Sequence, residues 1–250
     1  GWGGSQQKGY WDINQNKRFL EDISMSDCGD VDVAYYDIER NRKIITQTVK
    51  KILKAGTFPV IIGGDHSITY PSICAFEDFK SLDIIQIDAH LDWIDEVDGI
   101  RYANGSPMRR SMELDFTNKM VQLGIRCIRS RESDYNFAKS QGSQIFTRQD
   151  IRQKGVDEIV EKLSPLGNVY VSIDIDGLDP SIAPGTGSPT VDGLLYYEVI
   201  NLLKGITKKS NVVGFDIVEV NPMVDLSGQT CLLATTLILE FLGMIFDQKN

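Results

Sequence analysis

Histidine is almost missing from this chain. His66 and His90 are the only two in 250 residues, so any chemistry that needs an imidazole must use one of them. Cysteine is sparse and unpatterned. Cys28, Cys74, Cys127 and Cys231 stand far apart and form no CxxC pair, which predicts free thiols in a reducing, cytoplasmic compartment. No apolar run approaches the ~20 residues of a membrane span, and no signal-peptide pattern opens the chain, so no membrane partner is expected. Basic residues are outnumbered, 26 against 35 acidic, for a formal net charge of −9. That balance argues against nucleic acid as a partner and weakly favours a cationic or neutral small substrate.

What remains is ordinary globular material, 42% hydrophobic and 24% charged, long enough to bury a sizeable core. Residues 1–250 read as a single domain, because no linker or repeat divides them. The opening Gly1-Trp2-Gly3-Gly4-Ser5 has little pattern and suggests an incomplete N-terminus.

The stretch Leu82-Asp83-Ile84-Ile85-Gln86-Ile87-Asp88-Ala89-His90-Leu91-Asp92 organises the rest. It starts as an apolar run, the mark of a buried parallel strand. It ends in three metal-ligand types at alternate positions. In extended chain such residues share a face, about 7 Å apart per step, so Asp88, His90 and Asp92 are expected to converge. Taken alone, the triplet could equally be a strand running into a polar loop.

Strands and helices alternate along the chain. A helical period covers Asn41 to Ala55, and Gly56 stops it. Phe58 to Ile62 reads as a buried strand ending in Gly63-Gly64-Asp65-His66-Ser67, with Ser67 an N-cap for a helix from Ile68. Asp30 to Val33 is a weaker strand signal. Further strands are predicted at Met120–Ile125, Gln144–Thr147, Val169–Ile173 and Val212–Val218. Helices are predicted from Met108, over Val156–Leu163 and Leu194–Leu203, and over Thr230–Phe246, the last packing on the sheet. This pattern implies an α/β fold: three α/β/α layers around a mainly parallel sheet.

Candidate ligands recur at strand ends. Asp174 and Asp176 follow the Val169 strand and share a face; two carboxylates there are costly unless a cation neutralises them. With His66, Asp88, His90 and Asp92 they make six ligands, too many for one tetrahedral zinc. Two hard divalent ions suit them, manganese among the best matches for oxygen donors. Two ions about 3.5–4 Å apart can activate a shared water. Asp216, mid-strand, is expected to be a buried structural carboxylate with hydrogen-bonded partners.

Gly63-Gly64-Asp65-His66-Ser67, Asp88-Ala89-His90-Leu91-Asp92 and Ser172-Ile173-Asp174-Ile175-Asp176-Gly177-Leu178-Asp179-Pro180 resemble the three signature motifs of the ureohydrolase (arginase/agmatinase) family. Gly214-Phe215-Asp216-Ile217-Val218-Glu219-Val220-Asn221-Pro222 resembles its fourth block. The resemblance runs from about Asp27 to the C-terminus. It implies an arginase-like fold, two manganese ions per chain, a small cationic guanidino substrate and a homo-oligomer. His66, Asp88, Asp92 and Asp174 would hold one ion and His90, Asp88, Asp174 and Asp176 the other. Asp176 would accept a hydrogen bond from the attacking hydroxide, and Glu219 would bind the substrate guanidinium.

One departure stands out. Members commonly carry a histidine followed by glycine in the loop after the central motif, and here Asn104-Gly105 occupies that place. Asparagine hydrogen-bonds but does not titrate, so Asn104 is expected to limit or redirect the chemistry. Asp92-Trp93-Ile94-Asp95 also lacks the Asn-containing pattern by which arginases hold an α-amino acid, which favours an agmatinase-like member. The alternatives are a metal-binding paralogue with little turnover, serving as a structural or regulatory subunit, and a deacetylase-type amide hydrolase.

Overall fold

The apolar runs of the sequence become one sheet. The structure is a computed structural model that describes residues 8–34 and 36–248; the reading of Gly1 to Ser5 as an incomplete N-terminus lies outside them. In chain order the elements are β1 (Tyr10–Asp12), β2 (Lys17–Phe19), α1 (Ile38–Lys54), β3 (Val60–Ile62), α2 (Thr69–Cys74), β4 (Leu82–Ile87), α3 (Pro107–Met112) and β5 (Thr117–Ile125). Then come α4 (Glu132–Ser140), β6 (Gln144–Thr147), α5 (Arg148–Lys154), α6 (Val156–Lys162), β7 (Asn168–Asp174), α7 (Tyr196–Lys209), β8 (Asn211–Val218) and α8 (Gln229–Asp247).

Six strands form the main sheet in the order β3-β8-β7-β4-β5-β6, and every neighbouring pair is parallel. A parallel sheet must be covered on both faces. Alternation along β4 supplies both surfaces: Ile84 packs with Val49 of α1, Ile73 of α2, Met108 of α3 and Ala138 of α4. Ile85 and Ile87 face the other way, into Ile151 of α5, Ile159 of α6, Leu202 of α7 and Phe241 of α8. The expected three-layer α/β/α architecture is therefore present.

Strand order decides where a site can form. The chain runs outward from β4 through β5 to β6, then returns to β7 on the other side of β4. The carboxyl ends of β4 and β7 thus flank a topological switch point, the crevice where open α/β sheets bind ligands.

Several local expectations need correction. Asp30 to Val33 forms no strand; a small antiparallel hairpin, β1 with β2, lies nearby instead. Ser67 is not a helix cap. Asp65 is, its carboxylate accepting the Ser67 N–H at 3.0 Å, and a 3-10 turn over His66–Ile68 precedes α2. Helices α4 and α5 were not read from the sequence. Only Ala138 of α4 is buried, so its apolar period is faint. For α5 a signal existed: Thr147 and Asp150 form a capping box. Against the expectation that no apolar run approaches a membrane span, helix α8 meets that length and apolarity, with a mean hydropathy of 1.7. Its inner face, including Leu237, Phe241 and Ile245, packs on the sheet, as expected for Thr230–Phe246.

Candidate metal centre and substrate cleft

The six candidate ligands gather at the carboxyl ends of β3, β7 and β4, but the local geometry is not the predicted one. Strand β4 stops at Ile87, so Asp88, His90 and Asp92 lie in the loop beyond it. Alternation along an extended chain does not bring them together. The loop folds tightly instead: Asp88 Oδ1 accepts the His90 N–H at 2.5 Å, and Asp92 takes the left-handed conformation at φ 56°, which aspartate tolerates better than most residues. As a result Asp88 and Asp92 turn to His66, and His90 turns to Asp176.

Strand β7 ends in a 3-10 turn over Ile175–Gly177, closed by the Asp174 carboxylate accepting the Asp176 N–H at 2.8 Å. Gly177 suits this turn, because a Cβ would lie 3.0 Å from the Asp88 nitrogen and crowd the backbone of Ile87 and Asp88. The side-chain-free approach lets the ends of β4 and β7 meet.

Two clusters result. His66 Nδ1 lies 2.7 Å from Asp92 Oδ2 and 3.2 Å from both Asp88 Oδ2 and Asp174 Oδ2. His90 Nδ1 lies 3.1 Å from Asp176 Oδ2 and 3.5 Å from Asp88 Oδ1. Asp88 is common to both, one oxygen to each histidine. Asp174 approaches His66 but not His90, so the geometry shows a shared place for Asp88 and not for Asp174.

The network behind His66 fixes which nitrogen is free. Asp216 is fully buried in β8 and accepts hydrogen bonds from Thr69 Oγ1, Tyr170 Oη and Ser172 Oγ, at 2.7–2.8 Å. It is the structural carboxylate expected. Ser172 has given its proton to Asp216, so it must accept at its 2.9 Å contact with His66 Nε2. The Nε2 of His66 therefore carries a proton. Its Nδ1 is buried, makes no hydrogen bond and faces three carboxylates. A lone pair aimed at three anions is explained by a cation between them. With four carboxylates and two imidazole nitrogens, the donor set fits hard divalent ions. Sequence reasoning missed Thr69, Tyr170 and Ser172 as supports, though Ser172 stands inside a quoted motif.

Crowded charge leaves its mark on the bare chain. Burial, then the negative charge of Asp88, pushes Asp92 up to about 7 and raises Asp176; burial, then Asp88 and Asp176, raises Asp174 well above the usual carboxylate range. Burial opposes a charged His90, but the carboxylates of Asp176 and Asp88 outweigh it and lift the imidazole to about 11. The cluster thus holds protons where a cation would sit, and metal binding must release them.

Glu219 completes this rim. It follows β8 and is strained into the left-handed region at φ 63°. Its Oε1 accepts the His66 backbone N–H at 2.8 Å, while burial raises its pKa. A cleft of about 290 Å³ opens over the clusters, lined by His66, His90, Asp92, Asp174, Asp176 and Glu219. Asn104 lines it too, held by a loop in which Ile94 N–H bonds the Gly105 carbonyl at 3.0 Å. Arg129, which no sequence signal pointed to, stands on the same cleft.

Comparison with known proteins agrees with this geometry. The model of the Arginase family matches residues 4–243. A mitochondrial guanidino acid hydrolase of Homo sapiens is 35% identical over 229 residues, covering 89% of this chain and 65% of that protein. A mitochondrial agmatinase of Gallus gallus is 36% identical over 239 residues, 92% and 69% of the two chains. This chain therefore spans about two thirds of the length of these relatives. Among solved structures, a putative agmatinase from Clostridium difficile superposes with a TM-score of 0.84 at 29% identity, covering 97% and 86%. The proclavaminate amidino hydrolase of Streptomyces clavuligerus gives 0.80 at 33%, covering 87% and 74%. With its parallel sheet, its four strand-end motifs and a family match over nearly its whole length, this chain belongs to the arginase family.

Proposed function

We propose that this chain is a dinuclear metal hydrolase that cleaves a guanidino compound to urea and an amine. The observation that carries the proposal is Asp88, whose two oxygens face two different histidines. His66, Asp88, Asp92 and Asp174 would hold one ion, and Asp88, His90 and Asp176 the other. Manganese is the ion proposed, from the oxygen-rich donor set. When bound, the pair supplies Lewis acidity and a water acidic enough to attack at neutral pH.

The chain's own residues do the rest. Glu219, anchored by the His66 amide, pairs with the substrate guanidinium, whose planar N–H fork matches a carboxylate. That contact turns the guanidino carbon toward the clusters. Asp176, at the cleft floor, accepts a hydrogen bond from the attacking water and orients it. An O–H bond of the water breaks, its proton passing to the Asp176 carboxylate, as the oxygen bonds to the guanidino carbon; the bond from that carbon to the alkyl-bearing nitrogen then breaks, and the nitrogen leaves as amine after taking a proton. Asn104 lines the cleft without a titratable group, so this proton must come through water or through Asp176.

The decisive experiment pairs elemental analysis with urea release. Manganese-reconstituted protein should hold close to two equivalents and release urea from at least one of agmatine, guanidinobutyrate, guanidinopropionate, arginine and guanidine. One tightly held zinc, or no urea from any of them, would sink the proposal. A homo-oligomer is also proposed; light scattering tests it. The exposed apolar side chains of Met223, Leu226 and Leu232 support it.

A further inference from the structure

Strands β4 and β5 each carry an amide in the middle of an apolar run. Gln86 and Gln122 are fully buried and lie opposite each other in the parallel ladder. An amide in such a place costs free energy unless its N–H and C=O groups find partners. Here all of them do. Gln122 Oε1 accepts from Trp93 Nε1 at 3.0 Å and from Ser143 Oγ at 2.9 Å. Gln122 Nε2 donates to the Leu91 carbonyl at 2.8 Å and to Gln86 Oε1. Gln86 Nε2 in turn donates to the His90 carbonyl at 3.3 Å and to Asp88 Oδ2.

Three contacts fix the direction of this chain of bonds. The indole nitrogen of Trp93 can only donate, and the carbonyls of Leu91 and His90 can only accept. Turning either amide over would set donor against donor and acceptor against acceptor. What reaches Asp88 is therefore an N–H.

A glutamine pair that served the core alone would end on itself. This one ends on the carboxylate common to both clusters. Asp88 Oδ1 already accepts the His90 N–H, so with Gln86 on Oδ2 each oxygen has one fixed donor. Each oxygen keeps its remaining lone pair for the side of its own histidine, Oδ2 toward His66 and Oδ1 toward His90. Rotation of the carboxylate would break both bonds. At its far end the chain reaches the cleft wall, because Trp93 lines the cleft and packs edge-on against Phe137 of α4.

We infer that Gln86 and Gln122 form an amide relay that positions Asp88, its direction set by Trp93, so that one carboxylate serves two ions at once. The inference rests on the dinuclear-hydrolase proposal above and adds positioning residues that lie outside all four motifs. The relay has a distinguishing mark. Asp88 belongs to both clusters, so loss of the relay weakens both metal-binding steps, whereas a support behind one histidine touches one.

The test is calorimetric titration of manganese into the metal-free parent, Gln86→Met and Trp93→Phe, each checked for its fold by circular dichroism. Gln86→Met keeps the length of the side chain and removes its donors. Both binding steps should weaken by about 10–100-fold, the usual cost of an outer partner. Trp93→Phe keeps a ring against Phe137 and removes only the indole N–H. Both steps should weaken by about two- to tenfold, the worth of one neutral hydrogen bond; this variant carries the test if Gln86→Met does not fold. A lowered Tm with both affinities unchanged would make the relay a device of the core alone and overturn the inference, as would weakening confined to one step. Should the parent take up fewer than two ions or release no urea, the hydrolase proposal fails, and metal-free crystal structures of the variants decide. An Asp88 carboxylate rotated from its place between His66 and His90 upholds the relay, and an unmoved one overturns it.

Discussion

The two ligand clusters share Asp88 yet are built differently. The His66 cluster is deep: the histidine side chain is 1% exposed, and its outer nitrogen is held by Ser172, which Asp216 holds in turn. The His90 cluster faces the cleft. Its histidine is 21% exposed, and its outer nitrogen meets a cation, Arg129, where a carboxylate or carbonyl is the usual partner of a metal-ligating histidine. The first cluster is pre-oriented by the protein, and the second is left to complete itself with what enters the cleft. One half is therefore held from behind by the protein, and the other opens on the cleft.

The strongest way to break this contrast is to remove what the halves share. Asp88→Ala should take bound manganese from two equivalents to none and abolish urea release. A variant that keeps two ions would show that each cluster stands alone.

Next in size is the support behind His66. Ser172→Ala frees the imidazole to turn and to exchange its proton. Loss of such an outer partner typically costs about 10–100-fold in metal affinity. In a calorimetric manganese titration one of the two binding steps should weaken by that factor and the other hold. Equal weakening of both would erase the difference between the halves.

On the cleft side, Asn104→His places a titratable group where none exists. A positioned acid–base group is worth about 10²–10⁴-fold at best. A tenfold gain in turnover at neutral pH, about 1.4 kcal/mol, is the expected minimum. Lowered activity would make Asn104 a residue that hydrogen-bonds the substrate, and unchanged kinetics on every guanidino compound would remove it from the chemistry.

The smallest effect expected is on stability against pH. Asp92, Asp174 and Asp176 have raised pKa values in the folded chain, Asp92 at about 7, and His90 is raised to about 11. Groups so raised bind more protons folded than unfolded, and stability falls as pH rises through them. Chelated protein should therefore lose several degrees of Tm between pH 5 and 8, by a thermal melt at each pH. Saturating manganese should flatten that slope, because it takes the place of the protons. A chelated Tm that climbs over the same range would contradict the crowding of carboxylates described here.

Much of this was legible in the sequence, for identifiable reasons. Strand ends could be read because buried parallel strands are continuous apolar runs that stop where polar residues begin, as at Ile87 and Asp174. Asp216 was legible as structural because a carboxylate inside such a run must be satisfied by neighbours. The convergence of Asp88, His90 and Asp92 was expected for the wrong reason, since a backbone hydrogen bond and a left-handed Asp92 do what alternation was expected to do. Helix α4 left almost no trace, because a helix with one buried residue has little apolar period.

By itself the sequence determined the ligand types, their places at strand ends and the three-layer class, because each depends on residues close together in the chain. Only the tertiary structure decided that His66 and Glu219, 153 positions apart, would touch. The order β3-β8-β7-β4 sets four motif-bearing ends side by side. That order depends on which apolar faces pack best against α1–α8, a property of the whole chain. It also decided that Arg129, beyond the end of β5, would face His90; no local pattern marks an arginine whose partner lies 39 residues away.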